Sequence, residues 1–195
     1  KETLLDLCRF STNENDEIMS LSSYLEKMPE NQKDIYYISA ETRSQALASP
    51  HLEGFKSKNI PVLIMTDAID QFWLPMIGSF KDKKFTSITQ GQINLDDLDE
   101  KNKDKKSESK DQKEKQDKEY VDLIAQMKVV LGEHVKDIRL SSKLTDSPVC
   151  LVADDGDMDI AMEQLMAQRD TNYKGAPRIL EINGDHSLIK NMKSL

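Results

Sequence analysis

The sequence predicts a small three-layer α/β subdomain, then a charged linker, then an α+β domain. Three observations predict it. Up to about residue 92, continuous apolar runs rich in β-formers alternate with helical patterns, the mark of strands buried on both faces. Nearly every residue of 96–119 is charged or polar, so that stretch has nothing to bury. Beyond it come helices with one apolar face and strands that alternate only in part. The units are placed at 1–92, 93–119 and 120–195.

In the first unit Leu4, Leu5 and Cys8, with Leu7 beside them, make a short helical apolar face. Ser20 is placed to cap a helix carrying Leu21, Tyr24, Leu25 and Met28, and Pro29 stops it. Residues 35–38 read as a first strand. Residues 42–48 read as helix, and Pro50 opens another through Leu52 and Phe55 to Lys58. Residues 61–65 form a second buried-strand run. Thr66 or Asp67 then caps a helix with Ile69, Phe72, Trp73, Met76 and Ile77 on its apolar side. Residues 84–89 are the third strand, which makes a largely parallel sheet with helices on both faces. Such a sheet invites a nucleotide, yet Ser39-Ala40-Glu41-Thr42 follows the first strand in place of a glycine loop, and no P-loop occurs. A dinucleotide enzyme would rest on fold class alone.

The middle segment holds ten acids and eight bases in its 24 positions. Asp97/Lys101, Asp99/Lys103, Asp111/Lys115 and Glu114/Lys118 all set acid before base at i,i+4, each worth about 0.2–0.5 kcal/mol to a helix. It reads either as a binding tail for a charged partner or as a solvated helix or linker, and near-cancellation of the two signs favours the latter.

Across all 195 residues, 27 basic side chains face 35 acidic ones, for a net charge of -8 and a pI near 5.0. Counterion release needs a basic face, so no nucleic-acid partner is expected. No stretch approaches the roughly 18 apolar residues of a membrane span, so no membrane partner is expected either. Lys1 opens no cationic-then-apolar leader, and a piece of a longer chain is expected. Cys8 and Cys150 share no metal spacing and are expected as buried free thiols in a reducing cytoplasm.

The second unit opens with an amphipathic helix over 120–131, closed by Gly132. Strands follow at 135–140, 148–153 and 178–182, with helices over 157–167 and from His186. In the first of those two helices Met158, Met162, Leu165 and Met166 recur at i, i+4, i+7 and i+8 and share one face. Read as residues alone, the stripe is ordinary core; left exposed, it is an adaptable apolar docking face. Asp154, Asp155, Asp157 and Asp159 surround Gly156 without the spacing of a calcium loop, and are expected to complement the helix N-terminus. His51, His134 and His186 stand far apart, and no catalytic constellation or metal site is found.

Several stretches together resemble the ATP-driven heat shock protein 90 chaperones of the bacterial branch. Ser49-Pro50-His51-Leu52-Glu53, then 56–60, then 62–70, is similar to that family's Ser-Pro, helix, buried strand and acidic helix cap. Tyr36-Tyr37-Ile38 matches the strand before it. Val135-Lys136-Asp137-Ile138-Arg139 and Leu144-Thr145-Asp146-Ser147-Pro148 are similarly placed in the second unit. Glu181-Ile182-Asn183-Gly184-Asp185-His186 resembles the family's Asn-Pro turn, with Gly184 where proline is usual.

The resemblance implies that 1–92 is the end of a chaperone middle domain and 120–195 the start of a C-terminal dimerisation domain. It implies non-native client proteins as partners and a homodimer in the full-length form. ATP with Mg is implied for the full-length family, with no cofactor held by this segment. No residue here matches the family's ATP-binding or catalytic ones. The family's client contacts imply Phe72, Trp73 and Met76 on one helix and Met158, Met162, Leu165 and Met166 on another. Two other classes of function stay open: a purely structural connector without client binding, and an α/β enzyme with an unrecognised pocket.

Overall fold

The computed structural model describes residues 2–91, 93–98, 106–170 and 173–194, with 96, 97 and 106–117 by backbone alone. The four i,i+4 pairs of the charged run lie outside the described side chains.

The first unit is built on five strands: β1 (Ser11–Thr12), β2 (Ile35–Ser39), β3 (Leu63–Met65), β4 (Ser79–Phe80) and β5 (Lys83–Ser87), in spatial order β1-β3-β2-β5-β4. The inner three are parallel, with Tyr37 opposite Leu63 on one side and Ser87 on the other. These are the three strands expected from the apolar runs. The other two are additions at the edges, both antiparallel, and at two residues each they carry no period to read. Lys81 and Asp82, both at positive φ, form the turn that folds β4 back on β5.

Alternation along β2 decides the layers. Tyr36 and Ile38 face one way and meet Ala46 of α3 (Arg43–Leu47), Leu52 of a short 3₁₀ turn and Phe55 of α4 (Glu53–Ser57). Ile35 and Tyr37 face the other way. They meet Leu5 of α1 (Glu2–Leu7), Leu21 and Tyr24 of α2 (Leu21–Lys27) and Leu74 of α5 (Asp70–Ile77). Ser20 caps α2 and Thr42 caps α3, each accepting from a backbone amide three residues on. The Tyr24 hydroxyl spans the second layer: it donates to Pro61 O at 2.7 Å and accepts from Gln32 Nε2 and Tyr36 N. Burial pushes the Tyr24 phenol well above its ordinary pKa, so it stays neutral.

Two expectations for this unit are corrected. Only Leu5 of the α1 face is buried; Leu4 and Leu7 are exposed and Cys8 is half-buried, because a six-residue helix lays one side chain on the core. On α5 the inward residues are Asp70, Leu74 and the part-buried Trp73 and Ile77, while Ile69, Phe72 and Met76 point outward. Asp70 sets that rotation, since its carboxylate accepts from Trp73 Nε1 at 2.7 Å and from Asp67 N at 3.3 Å and so lies inside.

Leu95 and Leu98, at the head of the charged stretch, are buried in the first core in a 3₁₀ turn. From Lys106 the chain is one helix, α6 (Lys106–Leu131), so the charged run and the amphipathic stretch join without a break. The second sheet is β6 (Val135–Leu140), β7 (Val149–Val152) and β8 (Arg178–Ile182) in order β6-β8-β7, with α7 (Ile160–Arg169) and α8 (Ser187–Lys193) as its further helices. Tyr120, Leu123 and Ile189 from α6 and α8 cover Ile138 and Ile182 on one face. The Tyr120 hydroxyl donates to Gly184 O, so the turn that lacks proline is held by a hydrogen bond instead.

The opposite face of the second sheet leans on the first unit. A β-bridge, Gln90 to Ala153, joins the two backbones. Gly91, at φ 66°, brings its own amide to Ala153 O and its carbonyl to Arg139 Nη2 at 3.0 Å. Glu53, the first residue of α4, accepts the amides of Thr145, Asp146 and Ser147 and the Ser147 hydroxyl. Burial alone would raise its carboxyl, but the Ser147 hydroxyl and the amides overbalance that and hold it below the usual range. Lys143 is fully buried, donates to Ile88 O at 3.2 Å and lies 3.8 Å from the buried Glu181. Gly54 is a point of close backbone approach, for a Cβ there would stand 2.6 Å from Lys143 O and from Leu95 Cδ1.

Candidate functional site

Helix α7 carries Met162, Leu165 and Met166 of the stripe and has no fully buried residue, while Met158, expected on the same helix, stands in the chain before its Asp159 cap. Met158 and Met166 are 41% and 38% exposed, and Met162 and Leu165 are half-buried. A ten-residue helix without a buried face needs other anchors, and here they are polar. Asp159 caps it, accepting from Ala161 N through Oδ1, while Oδ2 accepts the hydroxyls of Ser87 and Thr89 in the first unit at 2.5 and 2.8 Å. Arg178 of β8 donates to Met158 O at 2.7 Å and pairs with Glu163, which in turn accepts Ala176 N. At the far end Gln168 Nε2 donates to Glu41 at 3.3 Å. The polar groups fix the helix while its apolar stripe stays available.

Only one of the four clustered aspartates acts at the helix N-terminus. Asp154 and Asp157 both pair with Lys136, at 2.8 and 2.9 Å, and Asp159 alone is the cap, so the helix starts at Ile160 rather than 157. That corrects the expectation that all four complement the dipole. Among the described residues no group of three His, Cys, Asp or Glu side chains is placed to hold a metal ion.

Helix α5 presents a second apolar patch, with Phe72 39% and Met76 81% exposed. Trp73, its neighbour in sequence, is directed inward instead. Its ring packs edge-on to Phe85 at 5.9 Å and near Phe10 at 6.2 Å, so it props the helix. Pro75 stands inside α5 without ending it, and Gly78 at φ 73° closes it.

The two helices border one groove of about 250 Å³. Ala68 and Gln71 from the start of α5 form one wall, and Ala161, Gln164 and Leu165 of α7 the other. Of the seven expected client-contact residues, only Leu165 lines the groove; Phe72, Met76 and Met166 are exposed on the two helices, Met158 is exposed just before α7, Met162 is half-buried, and Trp73 is turned to the core. The groove was not foreseen from the sequence, although a crevice at the carboxyl ends of parallel strands was implicit in the fold class. Its rim carries Glu41 and Asp67, which repel a phosphate chain, and the residues present do not fit ATP with Mg.

Behind the site lies a buried charged cluster that sequence reasoning also missed. Glu181 accepts from Arg139 at 2.8 and 3.0 Å and from Ser141 at 2.8 Å. Burial pushes the Cys150 thiol, 3.9 Å from Glu181, up to about 12, so this cysteine is an inert, protonated one. Burial, and then the Lys143 charge, lower the His51 imidazole to about 4.

The Hsp90 protein family model matches residues 1–195. The chain is 41% identical over 189 residues to the chaperone protein HtpG of Roseobacter denitrificans, covering 97% of this chain and 30% of that protein. It is 38% identical over 203 residues to that of Wolbachia pipientis wMel, covering 100% and 30%. It is 40% identical over 194 residues to that of Mycobacterium avium, covering 99% and 29%. The chain thus spans about three tenths of the length of these curated relatives.

Proposed function

The chain belongs to the Hsp90 protein family, and from that premise we propose that it is the client-holding part of a molecular chaperone. In this reading α7 and the outer face of α5 present apolar side chains to non-native polypeptides. The observation that carries it is the exposure of Met166 on α7 and of Met158 just before its cap, on a helix with no fully buried residue. Flexible, polarizable methionine suits a surface that must meet many apolar partners. Residues 1–92 then correspond to the end of a middle domain and 120–195 to the start of a dimerisation domain. ATP binding and hydrolysis with Mg, homodimer formation and a cytoplasmic setting are proposed for the longer protein alone. No helix among the described residues is long and apolar enough to cross a membrane.

The test is suppression of aggregation of a model client by the chain, before and after Met158, Met162 and Met166 are changed to serine. Suppression is expected to fall severalfold. The melting temperature is expected to hold, because α7 buries no residue. Unchanged suppression would remove the role of this face. A second reading, a structural connector without client binding, draws on Glu53 and Lys143, which tie the two units through directed polar contacts. Full suppression loss in the serine variant separates the two.

A further inference from the structure

The groove between α5 and α7 lies where the chain paths out of β2 and β3 part. The chain leaving β2 enters α3 on one face of the sheet, and the chain leaving β3 enters α5 on the other. Neighbouring parallel strands whose connections diverge leave a crevice at their carboxyl ends, the usual ligand position in open α/β sheets. Here Ala40, Met65 and Ala68 give it aliphatic walls, and Leu165 of α7 closes one side. Two carboxylates, Glu41 and Asp67, line it, and among the described residues no lysine or arginine does. Arg43, two residues from Glu41, is committed to Asp16 and to the carbonyls of Thr12 and Asn15, and Arg169, which follows the lining Gln168, is exposed at the end of α7. Ser39 Oγ, at the end of β2, is buried against this groove and has no hydrogen-bond partner among the described residues.

Aliphatic walls, two carboxylates and a hydroxyl able to accept match an apolar stem ending in a cationic, donor-only head. We propose that the groove takes the lysine or arginine side chain of an extended non-native segment whose apolar neighbours lie on Met158, Met166 and Phe72. This rests on the client-holding reading above and adds a chemical preference to it. Segments that set a basic residue within an apolar run are then held more tightly than apolar runs alone.

The test is fluorescence anisotropy with a labelled, disordered apolar peptide carrying a single lysine, against the same peptide with that lysine acetylated. Acetylation keeps the stem and removes the charge. The unmodified chain is expected to bind the lysine peptide about fivefold more tightly, the size of one charge-assisted contact in a half-open groove. In the Glu41→Gln/Asp67→Asn variant the two peptides are expected to bind alike. Equal binding of both peptides to the unmodified chain overturns the inference and leaves the client reading standing. A lysine preference that survives in the double variant also overturns it, since the preference would then come from the overall charge of -8. Failure of both peptides to bind overturns the inference together with the reading beneath it.

Discussion

The two sheets are closed in different ways. The five-stranded sheet carries an apolar layer on each face, both supplied by its own helices. The three-stranded sheet has an apolar layer under α6 and α8, and on its other face Glu181, Arg139 and Lys143 meet the first unit beside a small apolar cluster of Leu144, Cys150 and Val152. Apolar layers are non-directional and forgiving. A buried charged face holds only while each member keeps its partners, and some of these belong to the first unit: the carbonyls of Ile88 and Gly91. The first unit is therefore able to stand by itself, and the second depends on it.

Removing a central charge is the severest way to test that asymmetry. Glu181→Ala leaves Lys143 buried without its carboxylate, and a loss of about 3–5 kcal/mol in unfolding free energy is expected. Hydrogen exchange should place the loss in β6, β7 and β8, with β2 and β3 still protected; equal loss in both sheets would break the comparison. The next effect is set by pH. His51 titrates near 6.5 when unfolded and near 4 when folded, so between those values the unfolded chain binds the extra proton. Stability falls as pH drops through that window, by up to about 3 kcal/mol, and His51→Gln should flatten the slope measured by urea titration. The smallest effect is expected from Glu53→Ala, about 1–3 kcal/mol, because it frees the amides of 145–147 to water. Glu53 contributes above its ordinary pKa of 4.5 and loses that contribution as pH falls below it, which separates it from the His51 window.

Much of the first sheet was legible because β2 and β3 are apolar runs, and α2 and α3, on either side of β2, carry Ser20 and Thr42 caps; the cap expected for α5 at Thr66 or Asp67 is not formed, since that helix starts after Ile69. Its edge strands were not, since two residues have no period. The direction of α5 was hidden because Asp70, an acid, takes an inward position only once Trp73 and Asp67 are folded against it. The methionine stripe was legible as a face, yet its exposure depends on anchors that local pattern cannot show. Asp159 reads only as one of four aspartates near the helix start; that it alone is the cap, and that its second oxygen reaches Ser87 and Thr89, some 70 positions earlier, is a matter of tertiary distance. The same holds for Glu53 and its partners at 145–147. The groove combines a crevice from the first unit with a wall from the second, and Glu41 stood in view only as the place where a glycine loop was missing.

Gly54 sits inside α4, where glycine costs a helix about 1 kcal/mol relative to alanine. An engineer choosing residues by helix propensity would replace it first. The added methyl would meet a backbone carbonyl of the neighbouring unit, which cannot swing aside as a side chain tip can. The improved helix would thus act as a wedge in the joint, so thermostabilisation here would trade a local gain for a misaligned pair of units.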